Sequence, residues 1–189
     1  MINKTLGATA VEGNAQSRVR VVIFEDLQGS DCARFRAMLD GTLLAKYGAQ
    51  VAFEHCDFPL ASHRWSRRAA IAARFFDARN PMVGVEFRRQ ILAHLDEIEA
   101  DDLAAFIAGL ARQYGVDPVK AVEALNQPAL AAMVDKDLAD GVARGVVKTP
   151  TVFVDGAPFV ETFTVEAISQ AIETAITTHK SNRRPRRDS

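Results

Sequence analysis

The sequence predicts an α/β fold: one sheet built from both ends of the chain, with a block of helices inserted between them. Three observations predict it. Residues 19–58 read as strand, helix and strand. Residues 62–145 are patterned almost wholly as helices. Two short apolar runs near the C-terminal end are joined by Asp155-Gly156, a strong hairpin signal. The order is therefore βαβ, helices, then ββα.

Residues 1–17 show little periodicity and read as a lead-in. "VRVVIFED" (19–26) is β-branched and apolar on both faces at its centre, as a buried parallel strand is. A helix is expected from Ser30 or Asp31, either of which can cap it, to about Tyr47. "QVAFEHCDF" (50–58) is the next strand, and its crossover should be right-handed. In the helical block, starts are marked by Ser62, Asn80-Pro81, Asp101-Asp102, Asp117-Pro118 and Asn126. Apolar residues recur at helical spacing, as at Leu103, Phe106, Ile107, Leu110 and Ala111. Trp65, Phe75, Phe76 and Phe87 are expected to pack its core, and Arg64, Arg67, Arg68 and Arg74 to form a solvated face. "TVFVDG" (151–156) and "APFVE" (157–161) make the hairpin, and an amphipathic helix runs from about Thr164 to Thr178. The expected organisation is a sheet domain of residues 1–61 and 146–178, an insertion over 62–145, and a disordered basic tail, 179–189.

A chain of 189 residues can bury a full core, and 48% hydrophobic with 25% charged residues is ordinary for a soluble domain. Lys180, Arg183, Arg184, Arg186 and Arg187 crowd the last ten positions. Without that stretch 18 basic and 23 acidic residues remain, a body of about −5. Such a body does not attract nucleic acid, which needs a clustered basic face. No run of 18 apolar residues exists, so no transmembrane segment is expected. "MINKTLGATAVEGNAQS" lacks the basic start and apolar stretch of a secretory signal. The expectation is a cytoplasmic protein, or an extracytoplasmic one whose signal was removed. His55, His63, His94 and His179 show no metal-ligand spacing, and no glycine loop cradles phosphate; no metal or other cofactor is expected. Nothing in the sequence fixes an oligomeric state.

The chemistry concentrates in "FEDLQGSDCARF" (24–35), at the first strand-to-helix turn. Gly29, Ser30, Asp31 and Cys32 stand where a redox protein places Cys-x-x-Cys. Together with "CDFPLASH", the helical block and "GVVKTPTVFVDG", this stretch resembles the DsbA-like branch of the thioredoxin superfamily, over roughly residues 10–178. The resemblance implies a thioredoxin-like fold with a helical insertion and an activity in thiol–disulfide exchange on protein or peptide substrates. In that family the first cysteine sits exposed at a helix N-terminus as a thiolate, and the second resolves the mixed disulfide. The nucleophile position falls here on Gly29 and the resolving position on Cys32. Thr149-Pro150 falls on the cis-proline loop, which would offer backbone to an extended substrate. Ile23 occupies the place where many thioredoxins bury a carboxylate; Glu25 and Glu54 are nearby acids by strand position, and ordinary strand-end charges fit them at least as well.

Gly29 cannot be a nucleophile, so the two-cysteine cycle cannot run in this chain. A degenerate member with another task and an enzyme disarmed by substitution both fit. Cys32 fits either a monothiol or a shielded small hydrophobe. Cys56 ends the second parallel strand on the same rim, so a disulfide with Cys32 is one reading, and a packed core cysteine is the simpler expectation. The main alternative to an oxidoreductase is a peptide- or partner-binding module without chemistry. Another is a kappa-class glutathione transferase-like enzyme using Ser30, one position out of register. The insertion is expected to leave a groove between itself and the Thr149-Pro150 loop.

Overall fold

The computed structural model describes residues 10–181. Its centre is the parallel pair β2 (Arg20–Glu25) and β3 (Ala52–Asp57), in register from Arg20 opposite Ala52 to Glu25 opposite Asp57. The crossover between them is α1 (Ser30–Met38), which passes through a π-helical turn at Leu39–Leu43 into α2 (Leu44–Tyr47). On the other side of β2 lies β4 (Thr151–Val154), antiparallel, followed by β5 (Ala157–Val160). Asp155 and Gly156 both have positive φ, 48° and 92°, as the tight turn between two antiparallel strands requires. The lead-in was expected to have no element. Instead β1 (Ala10–Gly13) pairs antiparallel with β3, giving the order β1-β3-β2-β4-β5. Four residues are too few to declare a period, and β3 supplies the pairing.

Strand alternation sorts side chains to two faces. Val21, Ile23, Phe53, Val152 and Val154 face α1, the π-helical turn and α8 (Val165–Ser181), which contribute Phe35, Leu39, and Ile168 with Ile172 respectively. Phe24 turns the other way, to Phe58 and Val146. Helix α8 extends past the expected Thr178, so His179, Lys180 and Ser181 are helical; the rest of the expected tail, 182–189, lies outside the described residues, as do residues 1–9. No helix among the described residues is long and apolar enough to cross a membrane.

The inserted helices are α3 (Ser66–Asp77), α4 (Pro81–Ala93), α5 (Leu103–Gln113), α6 (Pro118–Glu123) and α7 (Pro128–Ala143). Asn80 caps α4 by accepting from Met82 N, and Asp117 caps α6 by accepting from Val119 N and Lys120 N. Two expected starts shift. Ser62 lies in a turn, because Trp65 N and Ser66 N are capped by the Gln28 side chain from the β2–α1 loop. Asn126 closes a short 3-10 turn, and α7 begins at Pro128. Trp65, Phe75, Phe76 and Phe87 are buried in the helical core, with Phe76 stacked on Phe87 at 4.6 Å.

The expected solvated arginine face is corrected at Arg74. It is buried and paired with Asp57 and Asp137, from β3 and α7. Arg67 does reach a surface partner, Asp135. Helices α3 and α4 cross so closely that a Cβ on Gly84 would overlap the Asp77 carboxylate and lie 2.9 Å from its Cα. Gly84→Ala should therefore destabilise by ~1–3 kcal/mol in urea unfolding through overpacking. The ~1 kcal/mol that alanine gains over glycine in an open helix would appear instead if the two helices were free to separate.

Candidate active-site groove

Helix α1 starts at Ser30, as expected, but neither expected residue caps it. Gly29, not Ser30 or Asp31, is the N-cap: its backbone is extended (φ −89°, ψ 122°) and its carbonyl accepts from Ala33 N at 3.0 Å. The turn before the helix is closed by Gly29 N donating to Asp26 O at 3.0 Å. Ser30 is thus the first helical residue and makes no capping bond, while Asp31 pairs with Arg34. No side chain at position 29 covers the first N–H groups of the helix.

Cys32 lies one helical step inside and is 1% exposed. Its sulfur accepts from Asp26 N at 3.3 Å and is bonded by the Thr149 side chain. Burial, aided by the Glu25 and Asp26 charges, outweighs those bonds and pushes the thiol up to about 12. At neutral pH it is a protonated, shielded thiol. The Thr149–Pro150 bond is cis, and both residues are buried beside this turn. Cys56, half-buried on β3, is also pushed up to about 12, by burial and by the Asp137 and Asp57 charges. Both cysteines are free.

A cavity of about 520 Å³ opens at this end of the sheet. Gly29, Ser30 and Asp31 line it from α1, His63 and Trp65 from the β3–α3 loop, and Thr149 from the loop before β4. Residues 95–100 of the helical block, including Leu95 and Ile98, complete the wall. The cavity thus lies between the inserted helices and the cis-proline loop, with Cys32 sealed behind it.

Sequence reading missed two sets of residues. Asp26, fully buried, holds His63 through Oδ2···Nδ1 at 2.9 Å. His63 was considered only as a metal ligand, and Asp26 only as the end of a strand. The second set is ionic. His55 on β3 sits between Glu12 and Glu25, each 2.9 Å from one ring nitrogen, and Arg36 reaches Glu12 at 2.5 Å. Glu25, the last residue of β2, is therefore no solvated strand-end charge; it is the nearby acid that is buried, within this chain of ions. Glu54 does pair on the surface side, with Arg20.

These ions give stability a defined pH dependence. Burial pushes the Glu12 carboxyl up, but the His55 bond and charge and the Arg36 guanidinium win and bring it down to about 2. Its contribution is present above the ordinary 4.5 and is lost as pH falls through about 2. Burial disfavours charged His55, yet the Glu25 and Glu12 carboxylates raise it above the ordinary 6.5. Its contribution is complete below that value and is lost as pH rises through the folded one. Urea unfolding should show greatest stability between about pH 4.5 and 6.5. Glu12→Gln should flatten the acid limb; an unchanged limb would remove Glu12 from the account.

A family model described as Thioredoxin (Thioredoxin_4) matches residues 5–174. Among solved structures, oxidised BdbD from Bacillus subtilis is 20% identical, with a TM-score of 0.81 over 92% of this chain and 95% of that one. DsbA from Chlamydia trachomatis is 17% identical, with a TM-score of 0.76 over 97% of each chain. Wolbachia pipientis α-DsbA1 is 12% identical, with a TM-score of 0.80 over 94% of this chain and 96% of that one. A curated relative, the Na(+)/H(+) antiporter NhaA of Herminiimonas arsenicoxydans, is 27% identical over 169 residues, 86% of this chain and 25% of that protein. The chain thus spans about a quarter of the length of the curated relative it matches.

Proposed function

The chain belongs to this thioredoxin family and has its DsbA-like fold, and from that premise we propose a DsbA-like protein that keeps the substrate groove but not the two-cysteine cycle. In this reading an extended protein or peptide segment lies in the cavity between the helical insertion (62–145) and the loop of Thr149 and Pro150. Gly29 holds the nucleophile's place, and Cys32 the resolving place, with Ser30 and Asp31 between them. The observation that carries the reading is the pairing of a glycine N-cap with a second-position cysteine that is 1% exposed and pushed up to about 12. A thiol so placed can resolve a mixed disulfide formed beside it but cannot start one.

Insulin reduction and model-thiol oxidation, run on this chain and on Gly29→Cys, test the proposal. Activity confined to the cysteine version supports a scaffold missing only its nucleophile. Activity of the unaltered chain at a similar rate would overturn it, and silence of both would favour a binding module without chemistry.

A further inference from the structure

The loop joining β3 to α3 carries His63 onto the wall of the groove that Gly29, Ser30 and Thr149 also line. Beneath it, Asp26 is 0% exposed, and the backbone holds both of its oxygens. Gln28 N donates to Oδ1 at 2.7 Å, and Leu60 N donates to Oδ2 at 2.7 Å. As a carboxylate Asp26 only accepts, so its 2.9 Å bond to His63 uses Nδ1–H and leaves Nε2 as a lone pair. The imidazole is half-buried. A histidine fixed in one tautomer by a buried carboxylate, on the wall of a cavity, is built as a general base.

The protein offers that base no thiol to activate, and the Ser30 and Thr149 hydroxyls on the same wall are far weaker acids. Gly29 has no side chain, and Cys32 is sealed behind the cavity. We infer that His63, positioned by Asp26, is the proton-accepting group of the groove, and that the ligand itself presents a thiol to it. The inference rests on the proposed groove receiving a ligand. In the step, the ligand S–H bond breaks, an N–H bond forms at His63 Nε2, and a thiolate is left beside an imidazolium. No electron is transferred and no oxidant is needed. A thiol suits the base because its ordinary value, about 8.5, lies near that of imidazole, about 6.5, whereas a hydroxyl is far above both. The other charged groups lining the cavity are Asp31, Arg64, Asp96, Glu99, Lys148 and Glu161. Lys148 is paired with Glu161 and Asp31 with Arg34, which leaves Arg64 against Asp96 and Glu99, a small acidic excess that favours the imidazolium.

The shared ligand chemistry is a thiol, from a small molecule or from a cysteine in a peptide. The test titrates the whole chain at pH 7 with reduced glutathione, with a cysteine-containing hexapeptide, and with the serine counterpart of each. It records affinity and thiolate absorbance near 240 nm. One of the thiol ligands should bind about tenfold or more tightly over its serine counterpart and show the thiolate band; which one does identifies the source. In His63→Gln, folded by circular dichroism, the band should vanish and the preference fall to about one. In Asp26→Asn the band should appear only at higher pH, a shift that a merely structural Asp26 would not produce. Equal affinity for cysteine and serine ligands overturns the thiol assignment while leaving the groove in place. A band that survives in His63→Gln overturns the role of His63. Failure of all four ligands to bind overturns the groove reading and this one with it.

Discussion

Gly29→Cys should create a thiol that alkylates at pH 7 on the order of a hundredfold or more faster than Cys32 does in the unaltered chain. The reason lies in two positions three residues apart. With its thiol pushed up to about 12, Cys32 holds about one molecule in 10⁵ as thiolate at pH 7, and the residue is 1% exposed. A cysteine at the N-cap instead meets the free N–H groups and positive end of α1, where thiols fall to roughly 3.5–7.5. The thiolate fraction then rises by about 10⁴, and the weaker nucleophilicity of a low-pKa sulfur returns about 10² of that. The new side chain fits with a shift of a few tenths of an ångström. A Cβ built on Gly29 lies 3.2 Å from Asp26 O and 3.4 Å from Cys32 Sγ, close enough for the introduced sulfur to close a disulfide with Cys32. Mass spectrometry of the oxidised variant should show the loss of two hydrogens and no free thiol except Cys56. Equal alkylation rates for Cys32 and the introduced thiol would mean that Cys32 is not shielded, and the proposed reason for inactivity would fall.

The parts of this fold that were legible in the sequence are those whose signal is local. Strands β2 and β3 carry β-branched runs, the hairpin has its own turn residues, and Asn80 and Asp117 cap the helices that follow them. What escaped depends on partners distant in sequence. The start of α3 is capped by Gln28, nearly forty positions earlier, so no residue near Ser62 announces it. Strand β1 exists because β3 has a free edge. Arg74 looked like surface because charge normally seeks water, but Asp57 and Asp137 reach it from two other elements. The groove was legible only in outline. Gly29 and Thr149-Pro150 mark it in the sequence, whereas the His63–Asp26 pair forms only once the β3–α3 loop folds back over the end of β2.

Arg88→Ala is expected to cost ~3–5 kcal/mol in urea unfolding, a large share of the ~5–15 kcal/mol that holds a typical domain folded. Arg88 is 1% exposed and forms a two-pronged pair with Asp77, at 2.7 and 3.0 Å. The same guanidinium lies 3.4 Å from Asp57 and 3.5 Å from Glu25. Burial disfavours its charge, but the Asp77, Asp57 and Glu25 carboxylates outweigh that and hold it firmly protonated. These carboxylates come from α3, β3 and β2, so one side chain on α4 ties the inserted helices to the ends of the two central strands. Removing it leaves Asp77 buried without its main cation, because Arg74, held by Asp57 and Asp137, comes no nearer to Asp77 than 4.0 Å. The cost should therefore come from the stranded carboxylate more than from lost attraction, and that distinction can be measured. Arg88→Met with Asp77→Leu removes both charges at similar volume and should recover a substantial part of the loss. If the double variant is no more stable than Arg88→Ala, the pair itself stabilises the junction. If Arg88→Ala costs less than about 1 kcal/mol, water reaches the cluster in solution and it does not anchor the helices that wall the groove.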